Sequence, residues 1–461
     1  MFLRHIQPMR RVFLGVAVLI LGCASLAHAS ATLLLEEPYG KLGFFTATGH
    51  AAVYLSGVCA DTPLVLRHCA PGETGIVLAR YNGVARYDWI AIPLIPYLYA
   101  VERPEDVPLF ANAKMVSFLR DRYRRNYLEN IAPDSKNGQA PGGNWYELVG
   151  TSYDRTVYGF EIETTPKQDD ALIRKLNSSP NRSHFRTVSN NCADFAKDVI
   201  NFYYPRSLHR SVVADAGITT PKQMAKMIAK FSARHPELHS SRLVIAQVPG
   251  SMPRSSTVHG VVESFFTSKK YIVPSAVVSP IFAGCVAAVY VGTGAGHFEP
   301  ARNAMVYVVG SDPEPLLGRE DRRALQEQFK HYMASVYPET SGQNADKAWE
   351  KLQSKAIYDF DDQGRPVLRM QVGDNLVQIG ASADNVLSGS ASPQLVRQLL
   401  EARLQSELRR KSSPGVSETE IDRDWKLLQQ TMPQQSSMAD SDSRWAAHST
   451  QRIENIRGNR P

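Results

Sequence analysis

A cysteine at the start of an amphipathic helix is the residue of this sequence that is best placed for nucleophilic chemistry. Cys192 follows Asn190 and Asn191, and apolar side chains recur at helical spacing in Ala193–Tyr203. An asparagine cap would put the sulfur of Cys192 in the first helical turn, where the positive end of the helix dipole favours a thiolate over a thiol. The alternative is a free cysteine that is buried as a small hydrophobic residue.

A thiolate nucleophile needs an imidazole that holds it as an ion pair and later protonates the leaving group. Twelve histidines are available, and His50 is the preferred one. It follows Gly49 and opens a predicted strand whose next residues, Ala51 and Ala52, are small enough to leave room for a substrate. An ordinary histidine at the end of a strand is the alternative interpretation.

The two motifs together resemble a known superfamily. The stretch GHAAVYL at 49–55 and the stretch NCADF at 191–195, with Cys192 lying 142 residues after His50, are similar to the permuted papain-like proteins. These include the lecithin:retinol acyltransferase family and NlpC-type proteins, in which the histidine strand precedes the cysteine helix. The chain also resembles the N-terminal periplasmic domain of bacterial lipoprotein intramolecular acyltransferases. The resemblance covers about residues 35–205.

The resemblance implies a thiol enzyme that acts on an amide, ester or thioester through an acyl-enzyme. Cys192 would attack the acyl carbon, and His50 would serve as general base and then as general acid. His68, in a following predicted strand, matches the position of the third polar residue that orients the imidazole, while Glu73 and Asp88 are weaker candidates. The implied fold is α+β, a permuted papain-like antiparallel sheet with packed helices, to which the sequence adds a helical C-terminal extension.

Three functions follow as expectations. The preferred one is an exported hydrolase or acyltransferase that acts on envelope lipids or lipoproteins, because two uncharged stretches, 89–101 and 271–298, could hold an acyl chain. The alternatives are an endopeptidase for peptidoglycan stem peptides and a non-catalytic scaffold or binding protein of the envelope. No cofactor and no nucleic-acid partner are expected, whereas membrane association is.

Two further cysteines flank the predicted hairpin. Cys59 and Cys69 are ten positions apart, and in an exported protein a disulfide between them is the natural prediction. A zinc site made by His50, Cys59, His68 and Cys69 is the alternative, but adjacent strand residues point to opposite faces. Cys285 lies in an apolar run, where we expect it to be unreactive.

The N-terminus predicts export. Residues 1–29 combine a basic start with an apolar run, Val12–Leu21, and end in Ala-His-Ala, which is typical of a secretory signal peptide. The apolar run is too short to span a membrane. Cys23 follows Ile-Leu-Gly and resembles a lipidation site, so acylation of Cys23 and cleavage before Ser30 stay open as alternatives.

Composition excludes several classes of protein. With 43% hydrophobic and 21% charged residues, most of the chain is expected to fold. The net charge is +7, but residues 1–29 contain three arginines and no acid, so the remainder carries only +4, too little to indicate nucleic-acid binding. Five cysteines in 461 residues exclude a disulfide-dense scaffold. No CxxC pair is present to support an iron–sulfur, zinc-ribbon or thioredoxin-like site.

The chain divides into five segments. After the leader, short apolar runs around 51–55, 64–66 and 75–81 predict an antiparallel meander, and 103–130 predicts a surface helix. For the uncharged stretch 271–298 we predict a buried core segment, with a lipid-contacting hairpin and a membrane span as alternatives. The predicted segments are a signal peptide (1–29), a catalytic domain (30–210), a mixed segment with an apolar hairpin (211–310), a helical region (311–430) and a disordered tail (431–461).

Overall fold

The computed structural model describes residues 29–40, 48–84, 87–108, 111–248, 252–294 and 297–307, some residues between 309 and 327, and three strands between 357 and 380. The strands are β1 (Ser30–Glu36), β2 (His50–Leu55), β3 (Val58–Thr62), β4 (Val65–His68), β5 (Ile76–Ala79), β6 (Ile90–Pro93), β7 (Val157–Glu163), β8 (Ser241–Ile245), β9 (Met305–Val306), β10 (Glu314–Pro315), β11 (Ile357–Phe360), β12 (Pro366–Val372) and β13 (Asn375–Gly380). The α-helices are α1 (Leu94–Tyr99), α2 (Ala113–Tyr127), α3 (Thr151–Asp154), α4 (Pro166–Ser178), α5 (Cys192–Tyr203), α6 (Val212–Asp215), α7 (Pro221–Ser232), α8 (Val261–Thr267), α9 (Lys269–Val278) and α10 (Pro280–Gly292).

An eight-stranded sheet organises the molecule, in the order β10-β9-β8-β7-β1-β2-β5-β6. Neighbouring strands are antiparallel except β8 and β9, which are parallel, so the sheet is mixed. The predicted α+β class is therefore confirmed at this level. β3 and β4 form a separate two-stranded ribbon that the sequence places between β2 and β5.

Both faces of the central strands are buried, because helices cover each of them. On β1, Leu33 and Leu35 pack into one apolar cluster with residues of α5 and α7. Leu34, which points to the opposite face, packs with residues of α1 and α2. Burial on two sides explains why β1 reads as a continuous apolar run instead of an alternating one.

The uncharged stretch 89–101 forms β6 and α1 and is buried in the core. The other uncharged stretch behaves differently, and the prediction of a buried core segment for 271–298 is wrong. Its described part forms the end of α9 and all of α10, on which Val277, Val278 and Ile281 are largely exposed. Among the described residues, no helix is long and apolar enough to cross a membrane.

The region 311–430 is not wholly helical, contrary to the sequence-based prediction. β11, β12 and β13 form an antiparallel three-stranded sheet within it. The physical reason lies in the sequence between β12 and β13, where Gly373-Asp374 is typical of a two-residue hairpin connection. The predicted signal peptide, apart from residue 29, and the predicted tail at 431–461 lie outside the described residues, as does Cys23.

Candidate functional site

Cys192 is the first residue of α5, and a complete capping box holds it there. The Oδ1 of Asn191 accepts a hydrogen bond from the N–H of Asp194 at 3.0 Å, and the carboxylate of Asp194 accepts one from the N–H of Asn191 at 3.3 Å. The amide of Asn191 also donates to the carbonyl of Thr219 at 3.0 Å. The start of the helix is therefore fixed by both local and long-range contacts.

The α5 helix packs against β2, and its first residue lies beside the first residue of that strand. His50 hydrogen-bonds to the Cys192 sulfur, and the backbone N–H of Ala51 also donates to that sulfur. The structure thus brings together the two residues that the sequence singles out, although they are far apart in the chain. His50 and Cys192 are each only 8% exposed, so both side chains are largely shielded from solvent.

Only a glycine fits at the position before His50, for a steric reason. Gly49 has φ +71°, and a Cβ atom built on it would lie 2.1 Å from the carbonyl oxygen of Glu36. That distance is impossible for real atoms, so no side chain fits there without moving the backbone. Glu36 is the residue directly opposite His50 in the β1–β2 register, and the glycine therefore allows the histidine end of β2 to approach β1.

The two side chains shift each other's titration. Burial lowers the pKa of His50, but the negative Cys192 and the hydrogen bond to it outweigh burial and raise that pKa to about 9. Burial raises the pKa of Cys192, while the positive imidazole, its hydrogen bond and the Ala51 N–H together lower it below its ordinary value. These opposite shifts favour the thiolate–imidazolium form of the pair over the neutral thiol and imidazole.

Aromatic and acidic groups surround the imidazole. The ring of Tyr81 stacks on His50, with centroids 5.1 Å apart and planes inclined by 18°. Glu36 is buried, and its negative charge adds to the rise in the pKa of His50. Its carboxylate is held by the hydroxyl of Tyr97, by Thr151 Oγ1 at 3.0 Å and by Arg155 at 3.2 Å. The negative charge of Glu36 thus supports the charged form of the imidazole, while the positive charge of Arg155 opposes it in part.

Arg80 contacts the two residues that precede Cys192 in the chain. It is buried and forms an ion pair with Asp88, with 2.5 Å between Nη2 and Oδ1. Its Nη1 donates to the side chain of Asn190 at 2.6 Å and to the carbonyl of Asn191 at 3.4 Å. The guanidinium also lies 5.1 Å from the ring centre of Phe195. Arg80 therefore ties β5 to the turn that presents the sulfur.

The predicted orienting residue is not next to His50. His68 is about half exposed, and its Nε2 lies 2.5 Å from Asp170 on α4. It belongs to the separate β3–β4 ribbon, whose pairing carries it away from β2. Glu73 and Asp88 are also engaged elsewhere, the first with Arg67 and the second with Arg80, which directly follows β5. The buried Nε2 of His50 has no hydrogen-bond partner among the described residues.

Cys59 and Cys69 form the predicted disulfide, with Cα atoms 4.8 Å apart. This bond engages both sulfurs, so the alternative zinc site with His50 and His68 would lack its thiolates. Cys285 is free and exposed on α10, which differs from its predicted place in a core.

Sequence reasoning missed Tyr81, Arg80 and the cluster around Glu36. One signal was available in the sequence. Glu36 and Glu37 come directly after the apolar run Leu33–Leu35, and an acidic side chain that is buried beside such a run needs a hydrogen-bonding or charged partner. Tyr81 and Arg80 carry no local signal, since their contacts are made only after β5 pairs with β2.

Comparison with known proteins does not place the chain in a family. No family model, no curated protein and no solved structure matches it. The geometry of the site itself is thus the basis for any functional conclusion.

Proposed function

We propose that this chain is a cysteine-dependent hydrolase or acyltransferase of the permuted papain-like type, which acts on amide or ester bonds of cell-envelope lipids or lipoproteins. The observation that carries the proposal is the hydrogen bond between His50 on the first position of a strand and Cys192 on the first position of a helix. This order along the chain, histidine strand before cysteine helix, is the order of the superfamily that the sequence resembles.

The reaction uses the pair in two halves. The thiolate of Cys192 attacks the acyl carbon, and the imidazolium of His50 gives its proton to the departing amine or alcohol, which leaves a thioester on the enzyme. The neutral imidazole then takes a proton from water or from an acceptor amine or alcohol as that group attacks the thioester. The acyl group leaves as an acid or as a new ester or amide, and the thiolate–imidazolium pair is restored.

The start of α5 also offers a donor for the oxyanion. The backbone N–H of Cys192 lies in the first helical turn, whose N–H groups have no partner within the helix. In other enzymes the loss of one such donor costs about 2.7 to 4 kcal/mol of transition-state stabilisation. Arg80 serves as a positioning residue, because it fixes the turn from which this N–H and the sulfur project.

The Cys59–Cys69 disulfide supports a location outside the cytoplasm, since disulfides persist in oxidising compartments. The exposed apolar surface of α9 and α10 supports a lipid or lipoprotein substrate over a peptidoglycan stem peptide. Turnover of purified muropeptides, without turnover of acyl esters, would reverse that preference.

A non-catalytic envelope scaffold is the second candidate function. Two observations favour it: Cys192 and His50 are nearly buried, and Nε2 of His50 has no orienting partner among the described residues. Such a protein would keep the cysteine–histidine contact as part of its core and would bind its partner elsewhere.

One experiment separates the two candidates. The full chain is mixed with a short-chain nitrophenyl ester at neutral pH, and the acyl-enzyme is sought by intact-protein mass spectrometry. We expect a mass gain on the native protein, none on Cys192→Ala, and a rate lower by about 100-fold or more on His50→Ala.

The controls are Cys285→Ala, which removes the exposed thiol, and His68→Ala, which removes the histidine that lies away from the site. Both should acylate like the native protein. Equal labelling of the native protein and Cys192→Ala would refute the enzyme proposal and leave the scaffold.

A further inference from the structure

The α9–α10 hairpin exposes apolar side chains to solvent around its turn. Val277, Val278 and Ile281 are 79%, 85% and 83% exposed, and Phe282 is about half exposed. The sequence from 271 to 298 contains no Asp, Glu, Lys or Arg. A contiguous apolar surface without charges is uncommon on a soluble protein and marks a site of interaction.

The hairpin is held firmly on the body of the protein. Phe265 on α8 contacts Phe282 edge-on at 5.7 Å and stacks on Tyr271 at 5.9 Å between ring centres. Phe266 stacks on Tyr290 at 4.5 Å. These ring contacts join α8 to the start of α9 and to both ends of α10, while the side chains of Val277, Val278 and Ile281, on either side of the turn at Ser279, are exposed.

Positive charge collects at the base of the same hairpin. A cavity of about 670 Å³ lies beside the end of α10 and the start of α8, and Thr293 and Glu263 form part of its wall. Its cationic lining consists of Arg206, Arg210, Lys222, Lys226, Lys230 and Arg234.

Only part of this charge is neutralised. Two carboxylates, Asp215 and Glu263, line the cavity against the six cations. Among the described residues, Lys222 pairs with Glu263 at 2.7 Å, and Arg210 pairs with Asp194 at 2.8 Å. Lys226 donates to the carbonyl of Thr293 at 2.7 Å, and burial together with neighbouring Lys222 lowers its pKa. The cavity therefore suits anionic groups such as lipid phosphates.

The dimensions of the hairpin match one leaflet of a bilayer. At 1.5 Å per residue, α9 with ten residues and α10 with thirteen are roughly 15 and 20 Å long. A hydrocarbon core of about 30 Å is too thick for either helix to cross, but its near leaflet is not. With the turn in the acyl region, the positively charged end of the hairpin, opposite the turn, would lie at the level of the headgroups.

We propose that this face docks on the surface of an anionic phospholipid bilayer, with the α9–α10 turn inserted in one leaflet and the basic cavity on the headgroups. The pairing of an uncharged apolar turn with a cationic base is what distinguishes such a surface from a protein-binding groove. The proposal does not depend on the chemistry of Cys192.

A fluorescent probe on Cys285 tests the docking directly. Cys285 is exposed on α10 and lies four residues after Ile281, so both share one helix face. In the full chain carrying Cys23→Ala and Cys192→Ala, it is the only free thiol, because the other two cysteines form the disulfide. The nitrobenzoxadiazole label is blue-shifted and brightens when it enters an apolar phase.

We expect a several-fold rise in emission with vesicles of phosphatidylglycerol and phosphatidylcholine, a smaller rise with pure phosphatidylcholine, and a decrease at high salt. The double variant Val278→Asp, Ile281→Asp should weaken binding at least about 10-fold. Lys230→Gln and Arg234→Gln should each weaken binding to the anionic vesicles by about fivefold. Val65→Asp is the matched control, because Val65 is 44% exposed on β4, in the separate ribbon, and should have no effect.

An unchanged emission with anionic vesicles would overturn the proposal. An equal rise in emission for the double variant Val278→Asp, Ile281→Asp would also overturn it. So would a rise without vesicles that grows with protein concentration, because it would indicate that a second copy of the chain covers this face. Because the labelled protein lacks Cys192, a failed acylation experiment leaves this result untouched, and the reverse also holds.

Discussion

Replacing His50 with glutamine should remove the driving force for the thiolate of Cys192. The rise in the pKa of His50 from 6.5 to about 9 corresponds to roughly 3 kcal/mol in favour of the charged imidazole. Burial opposes this rise, so the attraction between the pair is larger than the net value. Without the imidazole, the thiol keeps only the helix start and the Ala51 N–H to stabilise its charge.

The consequence for reactivity can be estimated. Because the attraction between the pair is reciprocal, its loss should raise the pKa of Cys192. An equal rise would lower the thiolate fraction by roughly 300-fold at any pH well below the pKa that Cys192 has in the native protein. A thiolate of higher pKa is intrinsically more nucleophilic, so each thiolate of the variant should react about 10-fold faster. The net rate of alkylation should therefore fall by roughly 20- to 30-fold. At about pH 10, where both proteins carry thiolate, the variant should be alkylated at least as fast as the native protein, because its thiolate is the stronger nucleophile.

The assay is the pH profile of iodoacetamide alkylation, followed by mass spectrometry in a Cys23→Ala, Cys285→Ala background. Only Cys192 is then a free thiol. His68→Gln is the control, because His68 pairs with Asp170 and should leave the profile unchanged. Superimposable profiles for the native protein and His50→Gln would show that the two side chains do not form an ion pair.

Three further predictions concern the site and its supports. Acyl transfer should fall as pH rises through about 9, the pKa of His50, because the neutral imidazole has no proton for the leaving group; a rate–pH profile checks this. Arg80→Ala should cost about 3 kcal/mol in urea unfolding, since it leaves a partly buried carboxylate and the turn before the sulfur without their partner. Gly49→Ala should destabilise the protein by about 2 kcal/mol or more, because of its positive φ and the clash at 2.1 Å. Gly83→Ala, with φ +74° and open space around it, should cost only about 1 kcal/mol in the same measurement.

Local patterns predicted much of the fold. The runs around 51–55, 64–66 and 75–81 contain strands, Ala113–Tyr127 is a helix within the predicted stretch 103–130, and the helix Cys192–Tyr203 begins where it was predicted to begin. These elements were predictable because their caps, turns and periodicity act within a few residues.

The uncharged stretch 271–298 was misjudged for a different reason. Apolar composition indicates that a segment avoids water, but it does not tell whether the protein core or another phase covers it. Pro274 and Pro280 interrupt the stretch, but they do not tell which of the two covers it either. Likewise, the strands between 357 and 380 depend on pairing with each other, which the assignment of the whole region 311–430 as helical did not take into account.

The sequence by itself determined which two residues are suited to thiol chemistry. Residue type and local position made a capped cysteine and a histidine that follows a glycine candidates, because helix caps and tight approaches leave short-range signals. The resemblance of the two motifs to the permuted papain-like proteins then favoured them as a pair. The disulfide could likewise be predicted, because Cys59 and Cys69 flank one predicted hairpin and the chain is expected to be exported.

Only the tertiary structure decided what surrounds the pair. Tyr81, Arg80 and Glu36 reach the site through pairing between strands that are distant in the chain, and such pairing leaves no local pattern. For the same reason, His68 faces Asp170 instead of His50, because the direction of a strand in space is set by its partners and not by its own residues.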